Sequence, residues 1–203
     1  MPTDCIIYVV DDDPSVRKSL TFLLDSAGYA TQAFSSADEF MEGYDPQVAS
    51  CLLLDVRMPN SNGLELQSML DVRQVSIPII FISGHVDVRT ASKAFRAGAC
   101  DVLTKPVDAK LLMERVEEAL EKDRQHRQSV LSSAAKEQLL SKLTPKEREV
   151  FQELLKGRTI KQLATHFAIT FQTAAKHRAR VLEKIGVETD AQLVQEFQEF
   201  ATA

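Results

Sequence analysis

Short, uniformly apolar runs recur along the first part of the chain, separated by stretches in which apolar residues repeat at helical spacing. Runs of this kind predict strands buried on both faces, as in parallel sheets. The predicted strands are Cys5–Val10, Tyr29–Phe34, Cys51–Asp55, Ile77–Ile82 and Cys100–Thr104. Their alternation with five helices over about 120 residues predicts an α/β fold, a doubly wound five-stranded parallel sheet with helices on both faces.

Capping residues and glycines bound the predicted helices. Asp13 can cap a first helix that has Pro14 at its first position and ends at Gly28. Ser36 and Glu39 have the spacing of a capping box. The remaining predicted helices are residues 36–41, 63–70, 86–97 and one that begins near Asp108.

Polar side chains follow four of the five predicted strands: Asp11 and Asp12, Asp55, Ser83 and Lys105. Because the carboxyl ends of parallel strands meet at one edge, we expect them to surround one hollow. Three carboxylates repel unless a cation joins them, and an all-oxygen set with room for water suits Mg²⁺. Such a site could receive a phosphoryl group on Asp55. Alternatively, the aspartates are helix caps and Lys105 is a surface residue.

These motifs resemble the receiver domain of bacterial response regulators over residues 5–122. The matching residues are Asp11-Asp12, the Asp55–Glu65 segment with Pro59, Ser83-Gly84-His85 and Lys105-Pro106. The resemblance implies that a sensor histidine kinase phosphorylates Asp55, and that Ser83 and Lys105 bind the phosphoryl group. It implies Mg²⁺ as cofactor, with Asp11, Asp12, Asp55 and the backbone carbonyl of Arg57 as ligands.

Two positions refine this expectation. Many receivers carry Tyr or Phe where this chain has Val102, so rearrangement of the helix after Ser83 and of the face of the fifth strand would have to carry the signal. A phosphohydrolase with Asp55 as nucleophile would usually need a second acid two residues later, where this chain has Arg57. We therefore expect a regulator that slowly hydrolyses its own phosphoryl group, and not an enzyme.

The second part of the chain is predicted to be helical. Residues 121–141 contain neither Gly nor Pro, so the helix beginning near Asp108 could continue to about Ser141; a partly frayed segment is the alternative. Thr144, Pro145 and Glu147 then start a module of four short helices. The predicted domains are residues 1–122, a helical linker 123–141, and an all-α domain 142–203.

One helix of this module, Phe171–Ile185, has two distinct faces at about 100° per residue. Its predicted inner face consists of Ala174, Arg178, Val181, Leu182 and Ile185, and its outer face of Gln172, Lys176, Ala179, Arg180 and Glu183. A short helix and a tight turn come before it, which fits a helix-turn-helix whose second helix enters the major groove. A solvated amphipathic helix is the alternative.

Residues 143–200 resemble the LuxR-type output domain, and the whole chain resembles the FixJ/TtrR-like regulators. The resemblance rests on Leu143-Thr144, Glu147-Arg148-Glu149, Gly157, residues 161–164, Ile169-Thr170, Thr173 and His177-Arg178. It implies double-stranded DNA as partner, with the helix 190–200 pairing two modules as a homodimer when phosphorylated. Ala175, Lys176 and Ala179 would face bases, and the phosphate contacts would be Lys161, Thr173, His177, Arg178, Arg180 and Lys184. A protein-binding output module is the alternative.

Composition agrees with two domains that have different partners. Residues 1–124 carry 12 Lys and Arg against 20 Asp and Glu, net −8, whereas residues 125–203 carry 12 against 9, net +3. With no apolar run near membrane length and no secretion signal, we expect a cytoplasmic protein without membrane contact. Cys5, Cys51 and Cys100 are expected to be small buried hydrophobes; a redox pair of Cys5 and Cys51 is the alternative.

Overall fold

The computed structural model describes residues 5–58, 61–84 and 87–201, so the predicted positions Pro59, His85 and Val86 lie outside it. The chain divides into two compact units, residues 1–127 and 128–203. The first unit contains a five-stranded parallel sheet with the order β2-β1-β3-β6-β7. Its strands are β1 (Cys5–Val10), β2 (Ala30–Phe34), β3 (Ala49–Asp55), β6 (Ile79–Ser83) and β7 (Asp101–Thr104). The predicted fold class is confirmed.

Between β3 and β6, two very short strands, β4 (Arg57–Met58) and β5 (Ser61–Asn62), form an antiparallel pair. This pair was not predicted, because segments of two residues carry no periodicity. The helices of the first unit are α1 (Pro14–Ser26), α2 (Ala37–Gly43), α3 (Gly63–Val72), α4 (Val88–Arg96) and the start of α5 (Ala109–Ser141).

The sheet is covered on both faces, as its uniformly apolar strands require. On one face Leu20 and Leu24 of α1 pack with Leu112 and Val116 of α5. The opposite face is covered by α2, α3 and α4, through side chains that include Phe40, Leu66, Leu70 and Ala94. Alternate strand residues serve the two cores, which fixes the register and therefore the edge at which each strand ends.

Helix α5 continues without interruption from Ala109 to Ser141, which confirms the predicted continuous helix. At about 1.5 Å per residue it is about 50 Å long. The second unit adds α6 (Pro145–Leu155), α7 (Ile160–His166), α8 (Phe171–Ile185), α9 (Asp190–Phe197) and a final 3₁₀ turn, Gln198–Phe200. Its core is built around Val150, Phe151, Leu163 and Phe197.

Most predicted caps are present. The Asp13 side chain accepts from the Ser15 N–H, and Thr144 and Glu147 form the predicted capping box. At Ser36 half of the predicted box is present, because the Ser36 hydroxyl accepts from the Glu39 N–H, whereas the Glu39 carboxylate accepts from the backbone and hydroxyl of Ser35 instead of Ser36. This shift by one residue still satisfies the start of α2.

The cysteines are free thiols. Cys5 pairs in register with Ala49, and Cys51 pairs with Ile7, so the two cysteines lie diagonally on neighbouring strands. Burial raises the pKa of Cys51 well above its usual value, which disfavours a reactive thiolate. In the part of the chain that the structure describes, no helix is both long and apolar enough to cross a membrane.

Candidate functional site

Three of the predicted polar residues meet at the carboxyl edge of the sheet. Lys105 Nζ lies 2.6 Å from Asp11 Oδ2 and 2.7 Å from Asp55 Oδ1. The two carboxylates are 1% and 5% exposed, respectively. They come together because β1 and β3 are adjacent parallel strands that both end there, and β7 delivers Lys105 to the same edge.

Both Asp55 oxygens are engaged. Oδ1 accepts from Lys105, and Oδ2 accepts from the backbone N–H of Arg57 at 2.6 Å. The backbone donor is fixed by the chain, whereas the lysine ammonium is carried on a flexible four-carbon stem. Oδ1 is therefore the oxygen that can be freed most easily.

Burial and charge shift the pKa values of Asp55 and Lys105 in opposite directions. Burial raises the pKa of Asp55, and the Lys105 ammonium lowers it, with burial prevailing. Burial lowers the pKa of Lys105, but the hydrogen bonds to Asp11 and Asp55 outweigh it and raise the pKa. The direction for Lys105 follows from its two carboxylate partners, so we assign it a positive charge near pH 7.

Asp12 does not join Asp11 and Asp55. It is exposed and lies in a bend between β1 and α1. Within residues 5–58, 61–84 and 87–201, no three His, Cys, Asp or Glu side chains are grouped to hold a metal ion. The structure thus brings two carboxylates, Asp11 and Asp55, to one ammonium group, and Asp12 lies exposed next to Asp11 in the chain.

The donor chemistry nevertheless fits Mg²⁺. Asp11 and Asp55 already bind one cationic group between them, and carboxylate and carbonyl oxygens are the ligands this ion prefers. Asp12 and the backbone carbonyl of Arg57 are the other expected ligands, and both residues are exposed beside the buried pair.

Ser83 and Val102 lie on the neighbouring strands. Ser83 ends β6, is buried, and pairs in register with Thr104 of β7. Its carbonyl accepts from the Lys105 N–H at 2.8 Å, which ties the strand ends together. Val102 pairs with Phe81 and is half-buried. An aliphatic side chain at this position offers no ring to follow the serine hydroxyl.

The second unit contains a helix-turn-helix. Helix α7 packs against α8, and the turn between them includes Ala168, whose φ is +51°. Thr170 caps α8 by accepting from the Thr173 N–H. Of the predicted inner face of α8, Ala174, Val181, Leu182 and Ile185 are buried and Arg178 is half-buried, and the predicted outer residues are all exposed.

The predicted DNA-contacting residues fall into three groups. Exposed residues are Lys161, Thr173, Lys176, Ala179 and Arg180, and Ala175 and His177 are half-buried. The other two already have charged partners inside the unit. Arg178 Nε lies 2.8 Å from Asp190 Oδ1, and Lys184 Nζ lies 2.6 Å from Glu147 Oε2.

Sequence reasoning missed some partners of these residues. The Arg17 guanidinium donates to the Asp11 carbonyl at 2.6 Å and fixes the turn that holds the carboxylate. Asp190 was predicted only as the start of a helix. One sequence signal could have indicated the contact between Arg17 and Asp11. Arg17 lies in the first turn of the predicted helix, six residues after Asp11, so its side chain can reach back to the turn before the helix.

Comparisons with known proteins agree with both halves. Residues 7–117 match the family described as response regulator receiver domain, and residues 141–197 match bacterial regulatory proteins of the luxR family. The chain is 38% identical over 192 residues to nodulation protein W of Bradyrhizobium diazoefficiens, covering 95% of this chain and 85% of that protein. It is 35% identical over 197 residues to the transcriptional regulatory protein FixJ of the same organism, covering 96% and 95%.

Solved structures give the same result. A low-resolution structure of the response regulator StyR is 37% identical, with a TM-score of 0.85 over 97% of this chain and 99% of that one. Full-length FixJ from B. japonicum is 33% identical, with a TM-score of 0.59 and coverage of 97% of both chains.

The fold and the matched families define a receiver joined to a helix-turn-helix. This chain belongs to the response regulators that combine a receiver domain with a LuxR-family domain. It is a DNA-binding regulator of a two-component system and not an enzyme. The receiver family uses Mg²⁺ at its phosphorylation site and a kinase as its partner.

Proposed function

We propose that Asp55 of this chain is the phosphoacceptor and that its phosphorylation controls DNA binding by the second unit. The observation that carries the proposal is the buried Asp55 carboxylate held 2.7 Å from the Lys105 ammonium at the carboxyl edge of the sheet. A single acceptor beside a movable cation suits transfer of a phosphoryl group.

The chain's own residues have distinct roles in the transfer. The Lys105 ammonium first moves away from Oδ1 of Asp55. This oxygen then forms a bond to phosphorus, while the bond between phosphorus and the donor histidine nitrogen breaks. The ammonium group neutralises the transferred oxygens. Ser83 is the hydroxyl that binds the phosphoryl group afterwards. Arg57, through its backbone N–H, holds the other carboxylate oxygen in place throughout.

Mg²⁺ would be held by Asp11, Asp12, Asp55 and the backbone carbonyl of Arg57. When bound, it supplies positive charge that neutralises the phosphoryl oxygens. The exposed position of Asp12 leaves that carboxylate available for such an ion. The donor would be a sensor histidine kinase, and the protein would work in the cytoplasm, where free thiols such as its three cysteines persist.

For DNA, we propose that the exposed face of α8 enters the major groove. Lys176, Ala175 and Ala179 would face bases, and Lys161, Thr173, His177 and Arg180 would contact phosphates. Arg178 and Lys184 are poorer candidates than the sequence suggested, since their charges are paired with Asp190 and Glu147.

We further propose that residues 1–122 are the receiver, 123–141 the linker and 142–203 the output domain, and that phosphorylated chains dimerise.

Gel shifts on duplexes selected from a random pool test this function. The phosphorylated chain should bind more tightly than the unphosphorylated chain and sediment as a dimer. Binding should fall steeply with salt, because phosphate contacts release counterions. Equal binding in both states would contradict control by phosphorylation, and no binding to any duplex would favour a protein-binding output instead.

A further inference from the structure

Helix α4, which follows Ser83 in the chain, is docked by little apolar surface. Of its residues Val88–Arg96, all described by the structure, only Ala94 is buried. Val88 is 87% exposed and Phe95 is 49% exposed. Neighbouring α3 buries two leucines against the same face of the sheet. Because buried apolar area is the main source of docking free energy, α4 is expected to open more readily than α3.

One polar side chain of α3 compensates for this weak docking. Gln67 is 3% exposed, although it lies on a helix face that otherwise packs apolar groups. Its Nε2 donates to the carbonyl oxygens of Ala94 at 3.3 Å and Ala97 at 2.9 Å. Both carbonyls lie at the C-terminal end of α4, where the helix dipole is negative and donors are favoured. The amide of Gln67 therefore holds this end of α4 against α3.

The same amide is incompletely satisfied. Gln67 Oε1 is buried and has no hydrogen-bond partner in the described structure. Leaving a buried acceptor unpaired is unfavourable, and this cost offsets part of the stabilisation from the two bonds that Nε2 donates. A cleft of about 420 Å³ lies directly beside it, lined by the ends of α3 and α4, including Gln67, Leu70, Ala97 and Gly98. The cleft gives the end of α4 room to move.

We infer that Gln67 is a positioning residue that holds α4 in its resting place, and that its bonds to Ala94 and Ala97 break when the receiver is phosphorylated. The inference rests on the proposed phosphorylation of Asp55. Ser83 leads into α4 at one end and Gln67 holds it at the other, so a displacement that begins at the serine is resisted by the amide. Val102 provides no aromatic switch on β7, and α4 packs against this strand.

Hydrogen exchange measured by mass spectrometry on the full chain tests this inference. Gln67→Met keeps the side-chain volume but removes the donor, and Gln67→Glu places a carboxylate against the two carbonyls. Leu70→Met is the matched control, because Leu70 lines the same cleft without a hydrogen bond to α4. The readout is exchange in peptides that cover residues 88–98, with and without a small acyl phosphate as phosphodonor.

In the unphosphorylated chain, both Gln67 variants should exchange about tenfold faster across α4 than wild type, and Leu70→Met should not. Phosphorylation should accelerate α4 exchange in wild type and add little in the Gln67 variants. Unchanged α4 exchange in Gln67→Met, faster exchange throughout the first unit, or an undiminished phosphorylation response would each overturn the inference. The unphosphorylated comparison does not depend on Asp55, so failure to label Asp55 would contradict the proposed function alone.

Discussion

The Lys105 ammonium lies 2.7 Å from Oδ1 of Asp55, so the proposed phosphoacceptor is paired with a cation before any phosphoryl group arrives. The same ammonium lies 2.6 Å from Asp11. One flexible side chain thus keeps two buried carboxylates together. This arrangement stabilises the site before phosphorylation. It also allows the carboxylates to exchange the Lys105 ammonium for another cation.

Replacement of Lys105 by Met should destabilise the first unit. Asp11 and Asp55 would then face each other without a counter-charge, and we expect a loss of about 1–3 kcal/mol. The three tyrosines, Tyr8, Tyr29 and Tyr44, all lie in this unit and the chain has no tryptophan, so tyrosine fluorescence in urea reports on it selectively. Lys110→Met is the control, because the Lys110 side chain is 88% exposed. Equal midpoints for both variants would contradict the structural role of Lys105.

Mg²⁺ should stabilise the same unit if the carboxylates bind it. Ligands that bind only the folded state raise its stability with concentration. We expect the urea midpoint of wild type, measured by tyrosine fluorescence, to rise with added Mg²⁺. The midpoint should return to its original value when the ion is chelated. Asp12→Asn should abolish most of this response, and Glu42→Gln, which replaces an exposed acid on α2, should keep it. An identical response in both variants would exclude Asp12 as a ligand.

Two arginines of α8 should behave differently. Arg180 is exposed, so Arg180→Ala should weaken DNA binding and reduce the salt slope by about one. Arg178 is paired with Asp190, so Arg178→Ala should instead lower the stability of the second unit by about 0.5–1 kcal/mol. Gel shifts at several salt concentrations and thermal unfolding by circular dichroism separate the two effects. A reduced salt slope with unchanged stability in Arg178→Ala would show that its charge serves DNA.

Glu147 should make the second unit sensitive to acid. The Lys184 ammonium and the backbone N–H of Thr144 lower the pKa of Glu147 from 4.5 to about 2. A lowered folded-state pKa contributes stability that is complete above about pH 4.5 and is lost as the pH falls from there towards 2.

Far-ultraviolet circular dichroism during urea unfolding measures this effect, with tyrosine fluorescence identifying the transition of the first unit. Glu147→Gln should lower the stability of the second unit at neutral pH and flatten its loss below pH 4.5. Glu149→Gln is the control, because that carboxylate is more than half exposed. If wild type and Glu147→Gln lost stability equally with falling pH, Glu147 would not be the source of the acid sensitivity.

Sequence alone was sufficient for the strands and for the edge at which they end. Uniformly apolar runs such as Cys51–Leu54 can only be buried on both faces, and parallel strands deliver Asp55 and Lys105 to one edge. The inner face of α8 was equally predictable, because it follows from helical periodicity.

Contacts between residues far apart in the chain were not predictable. The sequence pattern does not single out Gln67, and its acceptors lie 27 and 30 residues later. Arg178 and Asp190 belong to separate helices, so no periodicity links them. Asp11 is buried whereas Asp12 and Asp13 are exposed, and a run of three aspartates does not specify which of them is buried.

The most direct test of the central claim is the incorporation of a phosphoryl group from a small acyl phosphate in the presence of Mg²⁺. Intact mass spectrometry of wild type and Asp55→Asn measures it, with tyrosine fluorescence confirming that both are folded. Wild type should gain one phosphoryl group, and Asp55→Asn should gain none. Equal labelling of folded Asp55→Asn would contradict the assignment of Asp55 as the phosphoacceptor.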